Sequence, residues 1–435
     1  MNRPAPLTDG YAATPYWWEG VDLPATESEP LPAEVDVAVV GGGYTGLAAS
    51  LELAGRGRHV VVLDRDVIGS GASSRNGGMV HAGTKHHLTE LLAMPDGRRL
   101  WDDTVRAFEE LEELAGDATP ACDWRRTGHL ELAHHPRTVM RLRTEAETQR
   151  QVGEDVYLLT ADELASEIGS AAFAGGLLVA RSGAVHPGKL VASLARLAAR
   201  AGAVLHGGTT VRSVERTATG YLVEATSGGH RGVLRCQEVV VATNGTTDRR
   251  LVPWLGRRIL GVGSYIIATE PLDEHLVASV DPHSRMFFDT RNFLHYWRPT
   301  PDGTRVLFGG RTSFAPTSVE QARDRLYSAM VEIHPQLAGA RVDRAWGGQV
   351  ALTVDRLPHI GRHPATGVVY AMGYCGTGVA LSVHFGRRVG RWLCGADDLP
   401  AFAGLAWRVV PPPAHVPFLL PVAGWWYQAR DALGR

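Results

Sequence analysis

EVDVAVVGGGYTGLAASLELAGRGRHVVVLD, residues 34–64, is the stretch on which the fold turns. VDVAVV at 35–40 is an apolar run that stops at glycines, TGLAASLELAGRG at 45–57 reads as a helix, and HVVVLD at 59–64 is a second buried strand. Strand, turn, helix and strand follow one another within about thirty residues, the length of one βαβ unit. Gly41, Gly43 and Gly46 fill the positions of a G-x-G-x-x-G turn between strand and helix. The first permits the tight turn, the second lets backbone approach a pyrophosphate, and the third lets the helix close on the strand, while the helix N-terminus faces negative charge. Asp64 ends the second strand, where a carboxylate accepts hydrogen bonds from a ribose. A glycine turn alone signifies only a change of direction. Flanked by both strands, the helix and the acid, it specifies a dinucleotide.

A chain of 435 residues exceeds one ordinary core, so two intertwined domains with additional segments are expected. Hydrophobic residues at 44% and charged residues at 21% give the balance of a compact enzyme and exclude global disorder. Lys and Arg total 44 against 46 Asp and Glu, a formal charge of -2, so no net field favours nucleic acid or an anionic membrane. A small molecule is the expected partner. Cys122, Cys236, Cys375 and Cys394 lie far apart with no CxxC pair, which suggests neither zinc nor disulfides and fits a cytoplasmic location. The opening MNRPAPLTDGYAATPYWWEG lacks the basic-then-apolar pattern of a secretory signal. No run reaches the ~18 apolar residues of a membrane span. The nearest, VPFLLPVAGWWYQARDAL at 416–433, is broken by prolines and charge and reads as a tail docked on the body.

Residues 1–34 read as an arm whose Trp17 and Trp18 pack against the globule. Helical periodicity runs over 97–115 and 136–152, Thr160 and Glu163 form a capping box, and 186–202 is an amphipathic helix. AVLHGGTTVRSVER, GYLVEATS and CQEVVVATNG, between 203 and 245, read as strands. From about 255 to 345 the strands carry aromatic residues and are followed by a helix near 317–333, the texture of a sheet covering a substrate. Residues 368–395 return to strand, glycine-rich turn and helix, and PPPAHVP at 411–417 is a stiff linker.

After Asp64 comes RDVIGSGASSRNGGMVHAG, a second Gly/Ser/Asn-rich loop, too long and too small-residued for the usual start of an NAD-domain crossover helix. From about Tyr11 to the tail the chain resembles the D-amino-acid oxidase-like (DAO) superfamily of FAD-dependent oxidoreductases, and within it the gamma-glutamylputrescine oxidoreductase branch. The resemblance is carried by DVAVVGGGYTG (36–46), GSGASSRNGG (69–78), SGAVHPGKL (182–190), VVVATNG (239–245), SYIIATEPL (264–272), LFGGR (307–311), TVDRLPHIGR (353–362) and GYCGTGVALS (373–382), in family order.

That resemblance implies an α/β fold: a Rossmann-type FAD-binding domain of the glutathione-reductase/p-hydroxybenzoate-hydroxylase kind, interleaved with a substrate domain of antiparallel β-sheet plus helices. Residues 35–90, 155–250 and 345–398 are then assigned to the FAD-binding domain, 91–154 and 251–344 to the substrate domain, and 399–435 to the tail. The implied FAD contacts are Gly41, Gly43, Tyr44, Thr45 and Gly46 in the turn and Asp64 with Arg65 after it. Gly71, Ala72, Ser73, Arg75, Asn76, Gly77, Gly78 and Met79 would supply the second loop, and Val211 would bracket the adenine. Ala242, Thr243 and Gly245 would form a further turn, with Gly376, Thr377, Gly378 and Val379 near the pyrimidine end of the flavin. Where relatives tether FAD through a cysteine this chain has Gly347 and Gly348, and where others use a histidine it has Arg75, so non-covalent FAD is expected. His81 and Cys375 are the remaining conceivable tethers.

The implied reaction oxidises a carbon–nitrogen bond of a small amine or amino acid to an imine, with dioxygen or another electron acceptor. It needs a carbon–hydrogen bond aimed at the flavin, an unprotonated amine and a dry pocket, and no covalent intermediate. The expected orienting and catalytic groups are His81, Tyr265, Arg298 and Arg311, with Met79, His295 and Tyr296 beside them. Arg298 or Arg311 could hold a carboxylate in a bidentate fork, or instead pair with Asp289 or Asp355. In sarcosine oxidases, which the chain distantly resembles, a lysine helps reduce dioxygen; Leu307 stands at the matching position, and Arg311 could supply the charge. An NAD-dependent dehydrogenase and a protein that keeps FAD as a structural group are the competing readings.

Overall fold

The computed structural model describes residues 4–24, 30–118, 121–164, 166–311, 317–396 and 398–411. Val60–Leu63 is buried along its whole length, as a strand covered on both faces must be, and it pairs in parallel with Glu34–Val40 and with Val204–His206. His230–Val241 continues the parallel core on the other side of Glu34–Val40 and also pairs with Val369–Met372. Two antiparallel strands, Thr209–Arg216 and Tyr221–Ser227, finish that edge.

Helix Tyr44–Ala54 crosses against Gly378–Leu393 at close range. A Cβ on Gly386 would lie 2.3 Å from the Thr45 carbonyl oxygen, so only glycine allows this approach. Both helices therefore begin at the same end of the parallel sheet, which is where ligands of such sheets bind.

The second sheet has nine strands among the described residues. Its order is Leu7–Ala12, Val342–Leu352, Leu260–Thr269, Val306–Gly310, His295–Pro299, Met286–Asp289, His129–Leu132, Gly175–Val179 and Val156–Thr160. Only the pairs Leu7–Ala12 with Val342–Leu352 and Met286–Asp289 with His129–Leu132 are parallel. A two-stranded ribbon, Met79–His81 with Ser182–Ala184, joins the two halves.

Strands Val156–Thr160, Gly175–Val179 and Val342–Leu352 lie on the large sheet, so the limits expected at 155 and 345 move to about 180 and 352. A strand's own residues carry no mark of the sheet it joins. The expected helices are present as Gly97–Gly116, Pro136–Gln151, Pro187–Arg200 and Val319–Ile333. The capping box at Thr160 is formed reciprocally: its N–H donates to Glu163 Oε2 (2.7 Å) and its Oγ1 accepts from the Glu163 N–H (3.4 Å).

In the arm, Trp17 is wholly buried and donates from Nε1 to the Asn76 carbonyl (2.8 Å), while Trp18 Nε1 donates to Ser74 Oγ (2.9 Å). Most of the linker at 411–417 and the apolar stretch at 416–433 fall outside the described residues. Among the described residues no helix is long and apolar enough to cross a membrane.

Candidate active site

Gly41 turns the chain with φ +107°, and a Cβ there would lie 2.8 Å from the Ala242 carbonyl oxygen. Gly46 stands behind it, where a Cβ would reach 1.9 Å from the Gly41 oxygen. Helix Tyr44–Ala54 has Gly43 as its N-cap and so no side-chain cap of its own. Its Tyr44 N–H donates to Ser73 Oγ of the second loop (2.9 Å). Asp64 accepts from the Gly42 N–H (2.7 Å) and the Asp66 N–H (3.0 Å), and burial raises its pKa despite those bonds.

The second loop is rigid by its own hydrogen bonds. Asn76 accepts from the Gly78 N–H (2.8 Å) and donates to the Ser73 carbonyl (2.9 Å). Arg75 donates to the carbonyls of Ser70 (2.8 Å) and Gly347 (3.1 Å), accepts at its own carbonyl from Trp346 Nε1 (2.9 Å), and lies over the Trp18 ring. This ties the loop to the large sheet and to the arm.

Between these elements runs a cavity of about 1700 Å³. Gly41, Gly43, Tyr44, Thr45, Asp64, Arg65 and Val211 line one part. Gly71, Ala72, Ser73, Arg75, Asn76, Gly77, Ala242, Thr243 and Gly245 line the middle, with Gly376, Thr377, Gly378 and Val379 beyond. Gly46 and Gly78 do not face it. Gly78 stands behind the loop, its carbonyl accepting from the Val185 N–H (2.9 Å).

At the far end the wall is aromatic. Met79, His81, His129, Phe288 and Tyr296 line it. The His129 ring stacks on Phe288 at 5.0 Å and lies 5.6 Å from His81. Burial lowers the pKa of both histidines, so both rings are neutral at neutral pH. His81 Nδ1 is bonded to the Ala82 carbonyl (2.9 Å), and burial pushes the Tyr296 hydroxyl up to about 12. Lys85, Glu131 and Arg311 bring charge to this end. Cys375 also lines it, but its thiol donates to the Gly373 carbonyl (3.2 Å) and burial raises its pKa, which leaves it a poor nucleophile.

The glycine cradle, the two helix N-termini without side-chain caps and the volume of the cavity fit a flavin dinucleotide. Residues 36–392 match the family model described as DAO, FAD dependent oxidoreductase. The chain belongs to the DAO family. It is 31% identical to gamma-glutamylputrescine oxidoreductase of Escherichia coli (strain K12) over 92% of this chain and 93% of that protein. It is 30% identical to the probable oxidoreductase OrdL of Rhizobium meliloti (strain 1021) over 99% of this chain and the whole of that protein. Glycine oxidase from Geobacillus kaustophilus superposes with a TM-score of 0.73 at 25% identity, covering 87% of this chain and 99% of that one. As a DAO oxidoreductase, the protein uses FAD, held non-covalently.

Two side chains expected at the reacting centre of this DAO enzyme are not there, whereas His81 and Arg311 do line the cavity. Successive residues of a strand face opposite sides. On Leu260–Thr269 it is Ser264 that lines the cavity, and Tyr265 points away, its hydroxyl donating to the Thr317 carbonyl (2.6 Å). Arg298 is buried beneath the second loop and donates to the carbonyls of Val185 (3.0 Å), Gly78 (3.1 Å) and Pro299 (3.1 Å). Burial lowers its pKa to about 10. It therefore holds backbone, does not line the cavity, and has no carboxylate at hydrogen-bond distance among the described residues.

Asp289 is taken by Arg291 and His295, and Asp355 pairs with His359; His295, adjacent to Tyr296 on its strand, does not line the cavity. Leu307 is buried with Trp17, Ile266 and Trp346 and does not line the cavity, which removes it from any comparison with an oxygen-reducing lysine. Sequence reasoning missed Lys85, His129, Glu131, Ser264 and Phe288. HLEL at 129–132 did carry a signal, since its alternation puts His129 and Glu131 on one face.

Proposed function

We propose that this DAO enzyme oxidises a carbon–nitrogen bond of a small amine or amino acid, releasing an imine that water hydrolyses, with dioxygen as acceptor and hydrogen peroxide as product. The observation that carries the reading is the wall of neutral rings, His81, His129, Phe288 and Tyr296, continuous with the FAD cradle. Such a wall excludes water and tolerates an unprotonated amine. Bound FAD supplies the hydride acceptor.

Asp64, Arg65 and Val211 would hold its adenosine end, Gly41 to Thr45 with Ser73 and Asn76 its pyrophosphate, and Arg75, Gly77 and Gly376 to Val379 its flavin end. The N-terminus of helix Gly378–Leu393 favours negative charge there. His81 must carry its proton on Nδ1 to meet the Ala82 carbonyl, which leaves Nε2 as the basic atom that can relay the amine's proton. Lys85 and Arg311 supply cations beside the reacting end, which supports dioxygen as acceptor. The gamma-glutamylputrescine oxidoreductase and glycine oxidase among its relatives support an amine-bearing substrate. Four free cysteines support a cytoplasmic location.

Anaerobic mixing of the holoenzyme with a panel of amines and amino acids tests the reaction. Bleaching of the flavin band by at least one of them, with carbonyl product and ammonia or a smaller amine released, is expected. Admitting air then tests the acceptor. Reoxidation no faster than that of free reduced flavin would assign the electrons to another acceptor.

A further inference from the structure

Lys85 lies in the loop between strand Met79–His81 and helix Leu88–Leu92, and Glu131 lies on strand His129–Leu132. Both line the cavity. Lys85 is exposed and is among the residues that line the cavity. It makes no hydrogen bond or ion pair with any described residue. Glu131, whose side chain is 13% exposed, has His87 at 3.9 Å as its nearest ionic neighbour and no hydrogen bond among the described residues. The two feel each other's charge yet form no ion pair.

The other carboxylates at this end are committed. Glu90 pairs with His86 and Arg356, Glu145 accepts from the Leu88 and Thr89 backbone, and Asp289 is held by Arg291 and His295. Arg311 and Arg356 stand on the side of Lys85 and strengthen the positive potential there. Two opposite charges that line one cavity, neither of them hydrogen-bonded within the described residues, leave both free to meet a ligand carrying the complementary charges.

We propose that Lys85 and Glu131 read the two charges of an amino-acid head group on the substrate, Lys85 taking the carboxylate and Glu131 the ammonium. An amine held as ammonium by Glu131 is protonated and cannot be the one oxidised. The substrate therefore carries a second amine, remote from this head group, whose carbon–nitrogen bond reacts. This assignment rests on the amine-oxidising reading above and narrows its substrate class to amines bearing a zwitterionic end.

Three matched probes test it: 1,4-diaminobutane acylated on one nitrogen with a gamma-glutamyl, a glutaryl (no ammonium) or a 4-aminobutanoyl (no carboxylate) group. Apparent affinity in anaerobic flavin reduction is measured for the wild type, Lys85→Met and Glu131→Gln, each with its FAD content determined first. The wild type is expected to prefer the gamma-glutamyl probe by roughly tenfold or more over either partner, the worth of one charge-assisted hydrogen bond. Lys85→Met should abolish the preference over the 4-aminobutanoyl probe alone, and Glu131→Gln the preference over the glutaryl probe alone, with Lys85→Arg restoring the first. Equal affinity of the wild type for all three probes, an equal loss on all three in either variant, or a Lys85→Met effect confined to reoxidation by air would overturn the assignment. Flavin difference spectra on adding free glutamate, glutarate or 4-aminobutanoate to the holoenzyme report head-group binding without turnover. If no amine bleaches the flavin yet glutamate binds with the same dependence on Lys85 and Glu131, the oxidation reading fails and the head-group assignment stands; if glutamate binds no better than the other two, the head-group assignment fails.

Discussion

At the scale of single residues, the cradle makes the sharpest demand. A Cβ on Gly43 would lie 2.8 Å from Ser73 Oγ, the atom that receives the Tyr44 N–H. Gly43→Val is expected to lose FAD while the protein stays folded, read as flavin released on denaturation against an unchanged circular dichroism spectrum. Asp64→Asn should weaken FAD binding less, because the Gly42 N–H can still find an oxygen on the amide. Arg298→Met leaves the Val185 carbonyl short of a donor, at about 1–3 kcal/mol for the unsatisfied group, while the Gly78 carbonyl keeps the Val185 N–H. A lower Tm together with weaker FAD binding is expected, with no selective loss toward carboxylate-bearing substrates; a selective loss would return Arg298 to the substrate site.

Lys85 supplies a pH dependence. Burial first and Arg311 second push its pKa down to about 8, with Glu131 and Cys375 opposing and Arg356 adding to the shift. A lysine with a lowered pKa is charged below that value and neutral above it. Preference for a carboxylate-bearing substrate should therefore be full below about pH 8 and fall as pH rises through it. In Lys85→Arg the preference should persist to higher pH, since guanidinium stays protonated. Preference ratios measured across the range in both proteins check this.

At the scale of elements, the arm locks the cofactor loop. Trp17 is wholly buried and Trp18 holds Ser74, so both bind the loop that carries Ser73 to Asn76. Trp17→Ala should destabilise by about 3–5 kcal/mol, the usual range for a buried tryptophan, and should speed FAD dissociation, measured by recovery of flavin fluorescence on dilution. The arm's docking was legible because two adjacent tryptophans in a short polar segment need cover. The βαβ unit was legible because glycine spacing, strand and helix coincide at 34–64, as structure at Glu34–Val40, Tyr44–Ala54 and Val60–Leu63 bears out. Side-chain direction on the aromatic strands was not legible. Tyr265 and Ser264 differ by one position, and both are half-buried, so no alternation of burial tells them apart. Lys85 escaped notice because it lies in an irregular loop, where no periodicity marks the direction of a side chain.

At the scale of the whole molecule, two sheets meet along one cavity. The DAO resemblance covered both, and composition correctly pointed to a compact chain large enough for a cofactor. Sheet membership of Val156–Thr160, Gly175–Val179 and Val342–Leu352 was hidden, because pairing with strands elsewhere in the chain leaves no trace in a strand's own residues. The same long-range pairing sets the substrate wall against the cofactor cradle, so the joint between sheets is where chemistry is expected. The measurement that tests this most directly is an anaerobic titration of the purified yellow protein with gamma-glutamyl-1,4-diaminobutane, followed in the flavin absorbance. The account predicts full bleaching with one equivalent of oxidised product per flavin; a flavin that dithionite bleaches but neither this probe nor any amine of the panel reduces would contradict it.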